Sequence, residues 1–480
     1  MFLRRFSFLW LFLYASLSFA APASIHTYFS PNGGAQEAII KNISHAKRSI
    51  DIAMYNFSSD KILNALESVK NKNKRLKIRM IFDDAANTKE DTPGSDKVDS
   101  KAEMSASLEK IGIDVRYVSK IMHHKFVIVD GFPDGLRGNE DFSDTVLLNG
   151  SGNFSSRADT SYDENLVEIK NDPQTTTEFQ KEFQLMWNYS YDFPDDSLQR
   201  DRQDYVSSLE PSEFIRPIFT SQNFKKEPQF KLNGNRVASS NLEEAIGNAK
   251  TSIYVATGHF RLKPLADALI AAKKSNKDLD IKVVLDSQEF VSPSEHERVM
   301  RKYRRCVKNL GPNPTEEELE KCELAGEMKF SRYLAQNEIE VRIKYSSYIW
   351  YYAYDPQMHH KYMIVDGKSV WSGSYNWSRN AEFNTFENVV HYQGEELAGV
   401  AEEYTNNFWG IWELNRDAFS SHLSKLRTQN RIQLHFSPMT LSVDEIDKAR
   451  EILLDQIPAF FVKAKPEDRI WDKRKNQGEQ

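Results

Sequence analysis

The sequence predicts an α/β protein of two pseudo-symmetric lobes, and two internal repeats support this prediction. The segment that starts at Ala46 aligns without a gap with the segment that starts at Ala249, an offset of 203 residues. A shorter pattern, MHHKFVIVDG, recurs further along the chain as MHHKYMIVDG. Because a fixed internal period is typical of a repeated structural unit, we expect each copy to form one lobe.

Each copy of the longer repeat alternates between strand and helix patterns. Short apolar runs predict strands, and apolar positions three or four residues apart predict an amphipathic helix between them. The predicted elements are 50–55, 61–70 and 78–82 in the first copy and 253–256, 264–274 and 281–285 in the second. This order predicts a βαβ unit with a parallel pair of strands in each lobe.

The shorter repeats extend the same sheets. FVIVD and YMIVD predict buried strands, and VLLNGSGNF and VWSGSYNW begin as strands that end in glycine-containing turns. The first copy has thirteen extra residues within 131–145, whose Gly, Asp and Pro content predicts an extended hairpin loop. The second copy has its own insertion at about 287–335, which is either a lid or a surface hairpin.

We expect four regions along the chain. They are a signal peptide at 1–20, an N-terminal lobe at 24–205, a C-terminal lobe at 212–436 and a C-terminal tail at 437–480. A polar, proline-interrupted stretch at 192–214 is a plausible linker between the lobes. The tail contains one helical pattern, 442–456, and otherwise has the composition of a solvated or docking segment.

The first twenty residues are typical of a secretory signal. A basic start, MFLRR, precedes an apolar run of about 14 residues and a small-residue site that ends at Ala20. The run is short for a membrane span, which needs roughly 20 apolar residues. We therefore expect cleavage after Ala20 and a secreted or periplasmic protein, with retention as an uncleaved anchor as the alternative.

The composition is that of a globular protein with a large core. The chain is 40% hydrophobic and carries a formal net charge of −6, which argues weakly against a surface that wraps a long duplex. Its two cysteines, Cys306 and Cys322, are candidates for a disulfide, and a pair of buried thiols is the alternative. The neighbouring sequence has no CxxC or Cys/His spacing for zinc.

One motif, H-x-K-x4-D, occurs in both copies and contains the candidate catalytic residues. They are His123, Lys125 and Asp130 in the first copy and His359, Lys361 and Asp366 in the second. Alternate residues of a strand share a face, so histidine and lysine point into one cleft while the aspartate faces the scaffold. The same parity places His124 and His360 on the opposite face.

A second motif, G-S-x-N, follows in each copy and supplies candidate phosphate ligands. They are Ser151 and Asn153 in the first copy and Ser374 and Asn376 in the second. With the lysines, their hydroxyl and amide groups would surround a phosphate with donors, and the preceding glycine would let backbone approach a ligand. Eleven residues past each asparagine lies a glutamate, Glu164 or Glu387, whose carboxylate would accept Nδ1–H of a catalytic imidazole.

Together the two motifs resemble the signature of the phospholipase D superfamily, a duplicated HxKxxxxD followed by GSxxN-like residues. The resemblance covers about residues 27–410, and it implies two α/β/α sandwich lobes with the active site between them. It also implies phosphodiester chemistry without a metal ion or other cofactor. By similarity, His123 is the nucleophile that forms a phosphohistidine, and His359 is first the acid and then the base.

Three functions are compatible with these residues. The first is a secreted phospholipase D that hydrolyses or transfers the head group of a glycerophospholipid, acting as a monomer with transient membrane-surface contact. The second is a secreted or periplasmic nuclease that uses the same phosphohistidine route. The third is a binding protein with a degenerate site, against which the intact motifs argue.

An aromatic cluster precedes the second motif and does not discriminate between these functions. Its members are Tyr345, Tyr348, Trp350, Tyr351, Tyr352 and Tyr354. Such a cluster would serve to cage a choline ammonium, to enter a lipid interface or to stack on bases, and it would also serve simply to pack a loop.

Overall fold

The computed structural model describes residues 24–83, 100–315, 318–319, 321–323, 328–348, 355–428 and 435–456. The predicted signal peptide at 1–20 and the end of the predicted tail lie outside these residues. In the described part of the chain, no helix combines the length and the apolar composition needed to cross a bilayer.

The N-terminal lobe alternates strands and helices in the predicted order. Its strands are β1 (Ser24–Phe29), β2 (Ser49–Met54), β3 (Lys77–Phe82), β4 (Asp114–Tyr117), β5 (Ile121–Met122), β6 (Lys125–Val129), β7 (Val146–Gly150), β8 (Asn165–Lys170) and β9 (Tyr191–Asp192). Its helices are α1 (Ala35–Ser44), α2 (Asp60–Lys72), α3 (Ser100–Lys110), α4 (Ser156–Thr160) and α5 (Pro173–Asn188).

The C-terminal lobe repeats this plan and adds elements to it. Its strands are β10 (Ile215–Phe219), β11 (Ser252–Thr257), β12 (Phe260–Arg261), β13 (Asp280–Asp286), β14 (Glu340–Ser347), β15 (Lys361–Val365), β16 (Ser369–Gly373), β17 (Trp377–Ser378), β18 (Thr385–Phe386), β19 (Asn388–Tyr392) and β20 (His435–Ser442). Its helices are α6 (Val237–Asn248), α7 (Lys263–Ser275), α8 (Pro293–Leu310), α9 (Ser331–Ala335), α10 (Arg379–Phe383), α11 (Ala398–Trp412), α12 (Phe419–Thr428) and α13 (Val443–Gln456).

Each lobe contains one mixed, eight-stranded sheet, and the two sheets have the same strand order. The orders are β1-β8-β7-β6-β2-β3-β4-β9 and β10-β19-β16-β15-β11-β13-β14-β20. The predicted parallel pairs are present, with Ile50 opposite Ile78 in one lobe and Ile253 opposite Ile281 in the other. The predicted two-lobed α/β fold is therefore confirmed, and so is the internal duplication.

One apolar core joins the two lobes. Helices α5 and α11 contribute Phe183 and Phe408 to a buried cluster that also contains Phe126 and Tyr362 from the two motif strands. Because burying each large apolar side chain stabilises the fold by about 1.5–3 kcal/mol, this shared cluster holds the lobes as one body. The cleft between the motif strands consequently has fixed walls.

The predicted tail differs from the structure. Residues from His435 to Ser442 form β20, which pairs antiparallel with β14 at the edge of the C-terminal sheet. Helix α13 follows and buries Ile446 and Leu453 in the core of that lobe. The C-terminal lobe therefore continues to at least residue 456 rather than ending at 436.

The two insertions lie in different places. The 131–145 segment connects the antiparallel strands β6 and β7 as an irregular hairpin loop, as predicted. The 287–335 segment contains helix α8. Cys306, near the C-terminal end of α8, forms a disulfide with Cys322, with a Cα–Cα distance of 5.5 Å. Its residues Met328 and Lys329 line the central cleft, so part of this insertion is a wall of that cleft.

Candidate active site

Both motif histidines line a single cleft of about 900 Å³ between the lobes. His123 lies two residues before the start of the first motif strand, β6, and His359 lies two residues before the start of β15. Their side chains are only 10% and 14% exposed, so the imidazoles are largely shielded from bulk water. The structure thus brings the two copies of the motif together at one place.

Each histidine is paired with a glutamate from the other lobe. Nδ1 of His123 donates to the carboxylate of Glu387, with its oxygens at 2.8 and 2.9 Å. Nδ1 of His359 donates to Oε1 of Glu164 at 2.6 Å. Both carboxylates are buried, and a bond at Nδ1 directs Nε2 of each ring towards the cleft. Neither lobe could orient its own histidine alone.

Two short backbone pairings bring the glutamates across the interface. Strand β5 pairs parallel with β18, and the amide of His123 donates to the carbonyl of Phe386 at 3.0 Å. In the second crossing, Asp163 forms a parallel bridge with Met358, and the amide of His359 donates to the carbonyl of Asp163 at 3.0 Å. Each glutamate is the next residue after this crossing, so its reach to the opposite histidine is set by backbone geometry.

Two aspartates that the sequence analysis did not single out as functional hold the motif segments in place. The carboxylate of Asp83, at the end of β3, accepts a hydrogen bond from the amide of Met122 at 2.9 Å. Asp286, at the end of β13, does the same for the amide of Met358 at 2.9 Å. These aspartates occupy matching positions in the longer repeat, and this match was the signal that could have identified them.

The two backbone pairings between the lobes, β5 with β18 and Asp163 with Met358, differ in one buried pair of side chains. Nζ of Lys344 donates to Oδ2 of Asp163 at 2.6 Å, and the side chains are 5% and 9% exposed. By strand register, the matching residues of the other crossing are Val118 and Phe386, which lie in the apolar core. An ion pair thus stands where the other crossing has two apolar core residues, and it supports the segment that carries Glu164.

Replacing Lys344 with methionine should lower the free energy of unfolding by about 3–5 kcal/mol, because it leaves a buried carboxylate without its partner. Urea unfolding followed by circular dichroism measures this change. The double variant D163F/K344V copies the residues of the other crossing and should recover most of the loss. Equal stability of K344M and the unmodified protein would show that the ion pair contributes little.

The serines of the G-S-x-N motifs have a different place from the one expected. Oγ of Ser151 donates to Glu164 at 2.6 Å and accepts from the amide of Asn165 at 3.0 Å, and the side chain is fully buried. Ser374 accepts from the amide of Asn388 in the same way. These hydroxyls support the glutamates and their strands instead of facing a phosphate.

The glycines of the G-S-x-N motifs also have a different role from the one expected. A Cβ added at Gly150 would lie 2.0 Å from the carbonyl oxygen of Asn165, and one at Gly373 would lie 2.4 Å from that of Asn388. Glycine is therefore needed here for the close approach of the next strand, and not for the approach of a ligand.

The motif asparagines line the cleft, and the motif lysines are buried beside the motif histidines. The Oδ1 atoms of Asn153 and Asn376 are buried without a hydrogen-bond partner in the described part of the chain. Nζ of Lys125 and of Lys361 donates to the carbonyl of the histidine two residues earlier, at 2.7 and 2.6 Å. Both ammonium groups are therefore held beside the imidazoles.

The motif aspartates lie away from the cleft, on the scaffold side that strand parity predicts. The carboxylate of Asp130 accepts from the amides of Lys47 and Arg48, at 2.8 and 2.5 Å. Asp366 accepts from the amides of Lys250 and Thr251, at 3.0 and 2.7 Å. Their role is to join the motif strand to the start of β2 or β11, and neither contacts the imidazoles.

The second histidine of each motif is buried beneath the cleft and hydrogen-bonds to residues of the other lobe or of the core. His124 accepts from Nδ2 of Asn388 at 3.1 Å and donates from Nε2 to Glu182 at 3.1 Å. His360 donates from Nδ1 to Oδ1 of Asn165 at 3.4 Å. Each contacts the asparagine that follows the other lobe's glutamate, so a second polar contact supports each crossing.

Burial shifts the site towards its less charged states. It raises the pKa of Glu164 and of Glu387 to about 8, and it lowers the pKa of Lys125 to about 7 and that of Lys361 to about 8. Burial, helped by the neighbouring lysines, also lowers the pKa of the His123 and His359 imidazoles well below the usual value. A bound anion would favour the protonated forms of all these groups.

Only part of the aromatic cluster can be placed. Tyr348 packs against His422 and Phe436, with ring centroids 5.9 and 5.3 Å away, and Tyr345 packs against Tyr348. These two tyrosines are buried in packing contacts. The other members, Trp350, Tyr351, Tyr352 and Tyr354, lie outside the described residues.

The two lobes are copies of one unit, and the glutamate of each lobe binds the motif histidine of the other. This arrangement defines a class of proteins in which each lobe supplies half of one active site. The chain belongs to the phospholipase D superfamily. The family described as "Cardiolipin synthase, PLD-like domain" matches residues 39–187 and 242–412, about two thirds of the chain. The expected family membership is therefore confirmed.

Several relatives share one name. The mitochondrial cardiolipin hydrolase of Chlamydomonas reinhardtii is 30% identical over 34% of this chain and 62% of its own length. That of Xenopus laevis is 32% identical over 30% of this chain and 56% of its own length. The chain thus spans less than two thirds of either relative.

A solved structure supports the fold. The phosphatidylserine synthase of Haemophilus influenzae Rd KW20 aligns over 80% of this chain and 86% of its own, with a TM-score of 0.51 and 13% identity. This similarity shows that the two-lobed architecture is shared.

The expected secreted or periplasmic location is wrong. The relatives from Chlamydomonas reinhardtii, Xenopus laevis and Drosophila melanogaster are all named mitochondrial, and these names point to mitochondria instead. The basic, apolar N-terminal pattern that suggested secretion lies outside the described residues.

Proposed function

We propose that this protein is a phosphodiesterase that hydrolyses the head group of a glycerophospholipid through a phosphohistidine intermediate. The observation that carries the proposal is the pair of crossed histidine–glutamate contacts in a single cleft. Two imidazoles with their Nδ1 atoms bound and their Nε2 atoms available divide the chemistry into an attack and a proton transfer.

In the first step, Nε2 of His123 attacks the phosphorus of the diester. A P–N bond forms, the P–O bond to the head group breaks, and Nε2–H of His359 gives its proton to the departing oxygen. The products of this step are the free head-group alcohol and the phosphatidyl group on His123.

In the second step, water attacks the phosphorus of the phosphohistidine. His359, now without its extra proton, accepts a proton from the water as the new P–O bond forms and the P–N bond breaks. His123 is released in its original state, and the net reaction is diester plus water to phosphomonoester plus alcohol. Ethanol in place of water would yield a phosphatidyl ethyl ester.

The carboxylates set the protonation state that each histidine needs. A neutral imidazole that donates from Nδ1 has its lone pair at Nε2, which is the nucleophilic form. Burial raises the pKa of both Glu164 and Glu387 to about 8, so either histidine–glutamate pair can hold a second proton at neutral pH, and the proposed mechanism places that proton on the His359–Glu164 pair, where Nε2 carries the N–H of the acid. The two pairs therefore need only differ by one proton.

Charge on the phosphate is met by groups of this chain. Lys125 and Lys361 would neutralise the non-bridging oxygens, and Asn153 and Asn376 would donate to them from their amides. A bound anion restores the positive charge of the lysines, whose pKa values burial lowers. This arrangement provides the transition-state stabilisation that metal ions supply in other phosphodiesterases, so we propose that the reaction needs none.

A lipid substrate is favoured by the family and by its relatives. The matching family is described as a cardiolipin synthase domain, and the relatives are named cardiolipin hydrolases. The formal net charge of −6 argues weakly in the same direction, against a surface that wraps a long nucleic acid.

The test is to incubate the protein with cardiolipin vesicles and, separately, with single-stranded DNA, both with excess EDTA. Release of phosphatidic acid without DNA cleavage supports the proposal. DNA cleavage alone would instead identify a nuclease with the same chemistry, and absence of both reactions would contradict the proposal and favour a binding protein. Activity that disappears with EDTA and returns with a metal ion would contradict the metal-independent mechanism.

A further inference from the structure

A third pair of a histidine and a buried carboxylate lies at the same cleft as the two motif histidines. Nδ1 of His259 lies 3.2 Å from Oε1 of Glu289, and the His259 side chain lines the cleft and is 25% exposed. The Glu289 side chain is fully buried. A buried carboxylate thus binds Nδ1, as it does at His123 and His359, yet neither step of the proposed reaction uses this pair.

This pair belongs to the C-terminal lobe. His259 corresponds to Asn56 at the offset of 203 residues, and Glu289 lies in the 287–335 insertion. An asparagine cannot form the same pair with a carboxylate, so the duplication that built the shared active site does not account for His259.

His259 lies on the His359 side of the cleft. It directly follows Gly258, and a Cβ added at Gly258 would lie 3.6 Å from Cα of His359. On the other side, the ring of Tyr55 packs against His123, with centroids 4.6 Å apart. An aromatic ring therefore borders His123, while a second imidazole borders His359.

The contacts of Glu289 determine which ring nitrogen of His259 carries the hydrogen. Oε1 of Glu289 also accepts from Nε and Nη2 of Arg261, at 2.9 and 2.6 Å. Burial alone would raise the pKa of Glu289, but the hydrogen bond from His259 and the charge of Arg261 lower it, so the carboxylate is ionised and only accepts. Burial also lowers the pKa of His259, so the neutral ring donates from Nδ1 and has its lone pair at Nε2.

Nε2 of His259 is therefore a hydrogen-bond acceptor at the cleft. In the part of the chain that the structure describes, Nδ1 is the only ring nitrogen of His259 that has a partner. The motif asparagines offer no equivalent acceptor, because the Oδ1 atoms of Asn153 and Asn376 are buried. A lone pair repels the negative oxygens of a phosphate, so the group that suits Nε2 is an O–H.

We propose that Nε2 of His259 binds the water that releases the phosphohistidine, and that this contact favours hydrolysis over transfer to an alcohol. The inference rests on the proposed phosphohistidine mechanism. It does not depend on whether the diester is a lipid.

In-line attack places the water on the side of His259. The water attacks phosphorus opposite the P–N bond to His123, which is the side of His359. One hydrogen of the water passes to Nε2 of His359 as the new P–O bond forms and the P–N bond breaks. The other hydrogen is donated to Nε2 of His259 and stays on the oxygen, which becomes a hydroxyl of the phosphomonoester. Two acceptors thus orient one water.

Two acceptors select water over an alcohol. An alcohol has one O–H, whose proton must pass to His359, so the alkyl group takes the place of the second hydrogen. Nε2 of His259 then has no donor, and an acceptor that is left unpaired away from water is unfavourable. We therefore expect the phosphohistidine to react with water more often than the intrinsic reactivities of water and alcohol dictate.

The test measures how the phosphohistidine partitions between water and ethanol. The substrate is bis(p-nitrophenyl) phosphate, an activated diester without a lipid tail, and chromatography separates p-nitrophenyl phosphate from ethyl p-nitrophenyl phosphate. The ratio of these products, divided by the ratio of water to ethanol, gives the preference for water. We expect His259→Phe, which keeps a ring but removes the acceptor, to lower this preference about tenfold.

Three further variants separate the acceptor from the packing of the ring. His259→Asn copies the residue of the other lobe and should lower the preference about as much as His259→Phe. His259→Gln places an amide oxygen near the position of Nε2 and should retain most of the preference. His26→Phe makes the same change at an exposed position of β1 and should leave the preference unchanged.

The outcomes distinguish this role from the proposed function. An unchanged preference in His259→Phe or in His259→Asn, with p-nitrophenolate still released, would overturn the role of His259 while the proposed function stands. An equal loss in His259→Gln would also overturn it, because the loss would then follow the ring and not the acceptor, and so would an equal loss in His26→Phe. Absence of p-nitrophenolate release by the unmodified protein would instead contradict the phosphodiesterase function, and the role of His259 with it.

Discussion

His359→Asn should give a protein that is phosphorylated once and then stalls, whereas His123→Asn should give one that is never labelled. Asparagine at 123 has no nucleophilic Nε2, so no P–N bond can form. Asparagine at 359 removes the acid and the base, so that an activated substrate still phosphorylates His123 but water is not activated to release it. We expect steady-state turnover to fall by at least about 10³-fold in both variants.

The measurement is acid-free trapping of ³²P after a short incubation with phosphorus-labelled substrate that has a good leaving group. Label on His359→Asn and none on His123→Asn supports the proposed assignment. Label on His123→Asn alone would reverse the two roles, and label on neither would contradict a phosphohistidine. Circular dichroism of both variants excludes loss of the fold as the cause.

Much of the scaffold of the site follows from local periodicity. Strand parity predicts that His123 and Lys125 share a face and that Asp130 faces away, and the amides that bind the Asp130 carboxylate are on the scaffold. The βαβ units are likewise predicted to within two residues, because their apolar patterns match one kind of element each.

The features that the sequence could not predict depend on contacts between segments that are far apart in the chain. The motif hydroxyl of Ser151 has the right chemistry for a phosphate, yet its nearest carboxylate is Glu164, which takes its hydrogen bond. Strand β20 was missed because its alternating polar residues resemble a solvated tail, and only the exposed edge of β14 gives it a partner. The crossing of each glutamate to the other lobe depends on the docking of the lobes, which no local pattern encodes.

This crossing has a kinetic consequence that distinguishes it from pairing within a lobe. Glu387→Gln should slow the formation of the phosphoenzyme, because Glu387 binds Nδ1 of His123, the proposed nucleophile, although Glu387 lies in the same half of the chain as His359. Glu164→Gln should instead slow its breakdown, because Glu164 supports His359. Loss of the carboxylate partner of a catalytic imidazole costs roughly 10²- to 10⁴-fold in turnover.

Rapid-quench kinetics with labelled substrate would resolve the two steps. We expect Glu164→Gln to accumulate phosphoenzyme and Glu387→Gln to show little at any time. Ser151→Ala, which removes only the hydroxyl that donates to Glu164, should change the same step as Glu164→Gln by a smaller factor, since the carboxylate remains. Accumulation in Glu387→Gln but not in Glu164→Gln would mean that each glutamate serves the histidine of its own lobe, or that the two histidines have exchanged roles. Because the trapping of His123→Asn and His359→Asn fixes the roles independently, the two results together would decide between these cases.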